Sequence, residues 1–544
     1  MKKYLLSGIV MILSNLAYSQ MQPEWLTFFN GPTNVNESIE NVMFDNFGNT
    51  YLSGYGYETS LGQGHDFLTV KGNSSGTEQW TKVYNGPQNN TDRPFGLFVD
   101  NAGNVYLTGT SWWSANGYKI VTIKYSPTGD MLWISAYDSL GTAEGEAHDV
   151  TVDINGNVYV TGRISPANNS YYDLALIKMN QNGSVLDYSY YGKPLGFTED
   201  GTNIITDDDG NIFVAGTADN SGVGPEAIVI KYNSSLDTLW TVHINGTNNA
   251  LNEFAIDFQL DDSGNVYVLC RLQNTPGSTD FSLTKINSSG EIIWREDYDE
   301  AGGQDIPEDM VMDNQGNIYV TGRVRRSGGG GYNDFAIIKY NNAGVQQWVS
   351  YYDGPNNLDD DPIAINFDSD GNIYVCGESN RSGGNFKFIV VKYTSAGIFD
   401  WEYVYDINES SKAIGIWPDN SGFVYAAGEG VGQSGNQDLM VVKLSAITGV
   451  ETENSLPVRF DLLQNFPNPF NPVTKIKWLL PAAAHHSIKV FDILGREISV
   501  LVDEYREAGD YELDFNGSNL SSGIYYYQLK TENYFQVKKM LLIK

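Results

Sequence analysis

The chain has 544 residues, with 66 acidic against 33 basic side chains and a formal charge of -33, so a phosphate backbone would be repelled and nucleic acid is excluded as a partner. Gly accounts for 57 residues and aromatics for 13%, a mixture that suits many short strands joined by tight turns and argues against long disorder.

Residues 1–19 read as a secretory signal peptide: Lys2 and Lys3 precede an apolar run over 5–16, and Ala17-Tyr18-Ser19 supplies a small-residue cleavage site. The run is shorter than the ~20 residues that span a bilayer. No Cys follows it, so a lipid anchor is not expected. No later run approaches ~18 apolar residues, and the mature chain is expected to carry no transmembrane segment.

From residue 45 onward one pattern recurs, Asp-x-x-Gly-Asn followed by a strand: DNFGNTYLSG at 45–54, DNAGNVYLTG at 100–109, DINGNVYVTG at 153–162 and DDDGNIFVAG at 207–216. It continues as DDSGNVYVLC at 261–270, DNQGNIYVTG at 313–322, DSDGNIYVCG at 368–377 and the degenerate DNSGFVYAAG at 419–428. Successive motif glycines are 51 to 55 residues apart, the length of a four-stranded propeller blade. In each unit strand a ends at the motif Asp and strand b is the Val-Tyr-Val-Thr type run. Strand c closes on Lys71, Lys124, Lys178, Lys231, Lys285, Lys339, Lys392 or Lys443. Strands b and c are apolar on successive residues, so both of their faces should be buried between stacked sheets.

Trp80, Trp133, Trp240, Trp294, Trp348 and Trp401 mark strand d, with Asp187-Tyr188 in that place in the third unit. The eighth unit has no tryptophan after Lys443. Instead EWLTFFNGP at 24–32 matches QWTKVYNGP at 79–87, so the first mature strand should supply the missing d strand and close the ring. Packing is the natural role of these tryptophans. The repeats resemble the bacterial beta-propeller repeats of the SBBP type over about 25–445. The expected fold class is all-β, with an eight-bladed beta-propeller over 20–449.

Three groups are candidate sites on this scaffold. The Asp-x-x-Gly-Asn run resembles a calcium loop but lacks the closing glutamate, and a turn needs the same residues. Eight residues before the motif Asp lie Glu37, Asp92, Glu199, Glu253, Asp305 and Asp360, with Glu144 and Glu146 near that place in unit three and Ser411 with Glu409 in unit eight. Such a ring of carboxylates at the channel mouth would be relieved by Ca2+, by raised pKa values or by water, and these alternatives stay open. The b-to-c loops vary most, and variable loops on a regular scaffold are where binding usually resides. There Trp112 and Trp113 could stack on a sugar or aromatic ligand, and Arg163, Arg323, Arg325, Arg326 and Arg381 could hold an anion. His65, His148, His243, His485 and His486 form no HExxH, and neither a nucleophile elbow nor a P-loop occurs. Cys270 and Cys376 fall in non-adjacent units and should be buried thiols.

After Gly449 the repeat stops, and 450–456 reads as a polar linker. In 457–544, Pro467, Pro469 and Pro472 fix an extended start. Strands are expected at 475–480, 487–492, 510–515, 523–530 and 535–543, forming a small Ig-like beta-sandwich. QNFPNPFNPVT, IKVFDILGREI, LSSGIYYYQL and the terminal KKMLLIK resemble the type A C-terminal sorting domain of the type IX secretion system. That resemblance implies recognition by the outer-membrane secretion machinery, cleavage near 450–457, and release or surface attachment. It associates sorting with Gly495, Arg496, Lys538, Lys539, Met540 and Lys544. The expected function is a secreted or cell-surface binding or adhesion module for a glycan or protein ligand. The alternative is a carbohydrate-active or other hydrolytic propeller that uses the channel-mouth carboxylates.

Overall fold

The structure, a computed structural model, describes residues 21–446 and 461–544 apart from 33–34, 58–63, 115–116, 138–143, 166–170, 193–197, 220–223, 247–251, 276–277, 301–302, 327–330, 383, 407–408, 420, 433–434, 463–464, 466–469, 494 and 532–533. The expected signal peptide, 1–19, and linker, 450–456, lie outside the described residues. The chain divides into two compact units, Met1–Ile447 and Thr448–Lys544.

The first unit is all-β. Its described residues form eight antiparallel sheets of four strands. In the first sheet strand a is Glu37–Phe44, b is Thr50–Tyr57, c is His65–Gly72 and d is Glu78–Tyr84. The motif aspartate builds the a-to-b turn: Asp45 Oδ1 accepts the N–H groups of Phe47 and Asn49, and Oδ2 accepts Asn49 Nδ2 at 2.7 Å. Gly48, at φ +76°, takes the left-handed position such a turn requires. The Tyr51 hydroxyl also donates to Asp45 Oδ2, at 3.2 Å, so the carboxylate is fully engaged as a turn group.

The other repeated residues bind sheet to sheet. Lys71 lies opposite Trp80 across strands c and d, and its ammonium stands 5.1 Å from the Tyr51 ring centroid. The Trp80 indole N–H donates to Pro127 O of the next unit at 3.1 Å, and a Cβ on Gly129 would come within 2.8 Å of the indole. Trp133, Trp240 and Trp294 donate in the same way to Gln181, Ser288 and Asn342. Tryptophan and turn glycine thus form one inter-sheet contact, repeated along the chain.

Strand a of each sheet packs beside strand a of the next, and the last, Lys412–Pro418, packs beside the first, Glu37–Phe44. Met21–Phe29 pairs antiparallel with Gln437–Ala446, from Met21 opposite Ala446 to Phe29 opposite Leu439, as the d strand of the eighth sheet. Trp25 there lies opposite Lys443, the same cross-strand pair found in every other sheet but the third, where Lys178 faces Asp187. Strands b and c are buried on both faces: in Pro225–Tyr232 every residue after the proline is buried. Cys270 and Cys376 are both buried free thiols.

The second unit has a three-stranded and a four-stranded sheet enclosing a core that includes Trp478, Ile488, Tyr527, Met540 and Leu542. The structure adds a strand that the sequence reading passed over, Glu497–Arg506, an edge strand paired to Ala484–Phe491. Its residues are mostly exposed, so it lacks the half-buried alternation that marks a strand.

Candidate functional site

The six acids picked out eight residues before the motif all sit at or just before the start of strand a, and all are buried: Glu37, Asp92, Glu199, Glu253, Asp305 and Asp360 are each 3% exposed or less. Five of them accept a backbone N–H from the d-to-a loop that precedes them. Gly31 donates to Glu37 at 2.6 Å, Gly86 to Asp92 at 2.6 Å, Gly246 to Glu253 at 3.3 Å and Gly354 to Asp360 at 2.7 Å, while Glu300 donates to Asp305. These carboxylates therefore close the loops.

Four of them, Glu37, Glu253, Asp305 and Asp360, meet a second position that sequence reading missed. The residue opposite the second position after the end of the motif, near the start of strand c, is Asp66, Lys119, Asp173, Glu226, Asp280, Asp334, Lys387 or Asp438. The c-strand acid of one sheet meets the a-strand acid of the next: Asp438 raises the pKa of Glu37, Glu226 that of Glu253, Asp280 that of Asp305 and Asp334 that of Asp360. Where strand c carries Lys119 or Lys387, the following a strand carries Gly145 or Ser411 in place of the acid. Four inter-sheet corners thus oppose two acids, the same two positions hold Asp66 with Asp92 and Asp173 with Glu199 at two more, and the other two carry a lysine. The signal was a second repeated charge, visible in the sequence only once the c-strand register is known.

Burial, with the neighbouring acid adding to it, pushes Glu37, Glu253 and Asp305 up to about 7. Their protons are held more tightly in the folded chain than in the unfolded one, where carboxyls titrate near ~4. The stabilisation is therefore complete below about pH 4 and is lost as pH rises toward about 7. Glu146 and Glu402, held low, act oppositely but only at more acidic pH. In chelator, the melting temperature is expected to fall by several degrees between pH 5 and 8; a flat or rising profile would contradict these assignments.

Acids also line the region where the a strands meet. Asp149, Asp257 and Asp309 accept the N–H groups of Ile204, Met310 and Ile365 from the following sheet, at 2.9, 3.3 and 2.8 Å. Burial pushes Asp149 up to about 7. A cavity of about 700 Å³ lies among the a strands of the first, sixth, seventh and eighth sheets, with Glu40, Glu308, Asp309 and Lys412 in its wall.

The arginines named from sequence are mostly engaged within the fold. Arg163 binds Glu146 and lies 3.7 Å from Asp200; Arg323 lies 3.3 Å from Asp361 and 3.6 Å from Glu308. Arg326 reaches Asp334 at 3.3 Å and Arg381 reaches Glu402 at 2.8 Å. Arg325 is exposed, with its guanidinium 3.2 Å from Asn333 Oδ1. Trp112 and Trp113 extend strand b, Val105–Ser114. Trp112 meets Tyr118 edge-on at 4.9 Å across the hairpin, while Trp113 packs against the core.

In the second unit Gly495, at φ +76°, and Arg496 complete a turn held by Asp492, which accepts Arg496 N–H at 2.9 Å and Nε at 2.6 Å. On the last strand, Phe535–Leu542, Lys539 is exposed, Lys538 is half-buried and Met540 is in the core. Lys544 Nζ donates to Ser518 O.

These sheets and their repeated contacts define an all-β protein built from beta-propeller repeats. Residues 140–165 and 347–385 match the beta-propeller repeat family SBBP. Residues 464–544 match the secretion system C-terminal sorting domain, so the protein is exported by type IX secretion, to the cell surface or beyond it. No curated protein matches the chain. Among solved structures, a PL25 polysaccharide lyase, an ulvan lyase, is similar at 11% identity and a TM-score of 0.40, over 69% of this chain and 95% of that one. PorZ, a surface component of the type IX secretion system of Porphyromonas gingivalis, is similar at 12% identity and a TM-score of 0.23, over 93% and 87%. A protein of unknown function from Dyadobacter fermentans shares 8% identity at a TM-score of 0.37, over 78% and 99%. None of these three likenesses bears on activity.

Proposed function

We propose that the repeat unit, 20–449, is an eight-bladed propeller that acts outside the cell as a binding or adhesion module. The tail, 457–544, would be an Ig-like sandwich removed near 450–457 after sorting. The observation that carries this reading is the division of labour among residues. Asp, Gly, Tyr, Lys and Trp of the repeat are engaged in turns and inter-sheet contacts, which leaves ligand contact to the hairpins that do not repeat. Among these, the strand bearing Trp112 and Trp113 runs ten residues, and the half-buried Trp112 ring is braced edge-on by Tyr118. A braced aromatic on a projecting hairpin suits a sugar ring or an aromatic side chain. The same accounting favours a module over a hydrolase, because the corner carboxylates are shielded and closing loops. The secreted protein is expected to bind polysaccharide in a panel of acidic and neutral glycans. Trp112→Ala should weaken that binding about tenfold or more at unchanged melting temperature. Binding indifferent to Trp112, or turnover lost on changing Asp305, would sink the reading.

A further inference from the structure

One of the acid corners has a third carboxylate. Asp334 starts strand c of the sixth sheet, Asp360 starts strand a of the seventh, and Asp353 lies in the d-to-a loop between the sheets. One oxygen from each lies within 4.8 Å of the others. Each carboxylate also has one oxygen already engaged: Asp334 Oδ2 with Arg326 at 3.3 Å, Asp353 Oδ2 with Asn357 Nδ2 at 3.2 Å, and Asp360 Oδ2 with Gly354 N–H at 2.7 Å. Asp360 is fully buried, and its Oδ1, like Oδ1 of Asp353, is shielded from solvent, with the Ser379 hydroxyl as the one side-chain donor beside Asp360. The Ser379 hydroxyl accepts from Arg381 Nε at 3.2 Å and keeps its own proton for Asp360, whose carboxylate charge it partly offsets.

The next corner along the chain shows what such a place demands. There Lys387 replaces Asp334 and Ser411 replaces Asp360, while Asp406 keeps the position of Asp353. The buried Lys387 ammonium lies 3.9 Å from Asp406 and donates to Glu409 O at 3.1 Å. A buried lysine therefore serves one corner, while its neighbour has three carboxylates and the half-buried Arg326 on the outer oxygen of Asp334. With Asp359 close by, four acids at this corner outnumber Arg326 and Arg381.

We propose that Asp334, Asp353 and Asp360 bind a hard divalent cation of the calcium type, which joins the sixth and seventh sheets as Lys387 joins the seventh and eighth. All-oxygen carboxylate donors select such an ion over softer metals, and extracellular calcium modules work with Kd of about 10⁻⁴ to 10⁻³ M. The test uses the secreted full chain, with calcium titrated calorimetrically and melting followed in calcium and in chelator. Calcium is expected to raise the melting temperature. Asp353→Asn should weaken the titrated affinity roughly 10- to 100-fold, the scale on which lost coordination support is felt. Asp334→Lys, which copies the neighbouring corner, should fold and lose the calcium response, and it decides the matter if Asp353→Asn does not fold. A wild-type protein that melts identically in calcium and chelator would overturn the proposal, as would a calcium response undiminished in Asp334→Lys.

Discussion

Removing Met21–Phe29 is expected to abolish the cooperative melting transition of the repeat unit or to lower its midpoint by well over ten degrees. The strand supplies Phe29, 1% exposed, and the partly buried Trp25, Leu26 and Phe28 to the packing of the eighth sheet. At about 1.5–3 kcal/mol for each fully buried side chain of this kind, the loss is roughly 5 kcal/mol before any hydrogen bond is considered. That is comparable with the whole stability of a typical domain, about 5–15 kcal/mol. The deletion also exposes an apolar edge strand, Gln437–Ala446, whose Leu439, Met440, Val441 and Val442 are buried in the intact fold. Such an edge invites pairing with another chain, so the variant should associate, and an added peptide of residues 21–32 should restore the transition in part. A melting curve equal to that of the intact chain would mean that the ring does not depend on this strand.

Much of this architecture is legible in the sequence because the fold repeats its chemistry at a fixed interval. A turn needing Asp and a left-handed Gly, a tyrosine beneath a lysine and a tryptophan opposite it recur every 51 to 55 residues, and a single alignment of the chain on itself finds them. The tail is legible for another reason: its segments have a fixed order. What stayed hidden depends on register between elements far apart in the chain. Asp334 and Asp360 are both in plain sight, yet nothing in their spacing says that strand c of one sheet delivers its acid to strand a of the next. The lysines at 119 and 387 carry no signal of their own until that register sets them in the series of c-strand acids. The acids at 149, 257 and 309 carried a fainter signal. An Asn or Asp stands four residues before the motif Asp in five of the eight units, at Asn41, Asp149, Asn203, Asp257 and Asp309. Its meaning, a bond to the following sheet, appears only when Ile204, Met310 and Ile365 arrive opposite.

Gly216→Ala is expected to destabilise the repeat unit far more than Gly210→Ala, although both glycines belong to one motif. Gly210 has φ +79°, but its added Cβ would meet nothing closer than 4.0 Å. Its substitution should cost only the backbone term of about 1 kcal/mol. Gly216 lies on strand b, opposite a register shift in strand a between Gly201 and Asn203, and an added Cβ would lie 2.0 Å from Asp200 O. The obstacle is main chain, which no rotamer change can relieve, so the cost should exceed the ~1–3 kcal/mol usual for overpacking. The same clash, at 1.9 to 2.3 Å, recurs at Gly54, Gly109, Gly162, Gly322, Gly377 and Gly428. Only Cys270 breaks the series, so one sheet of the eight is built around a side chain at this place. The Cys270→Gly change should therefore destabilise too, by removing a buried side chain for which space exists. Denaturant unfolding of the three variants separates the effects. If Gly216→Ala proves no worse than Gly210→Ala, then left-handed turn geometry alone selects glycine in this motif, and the bulged inner strand imposes nothing.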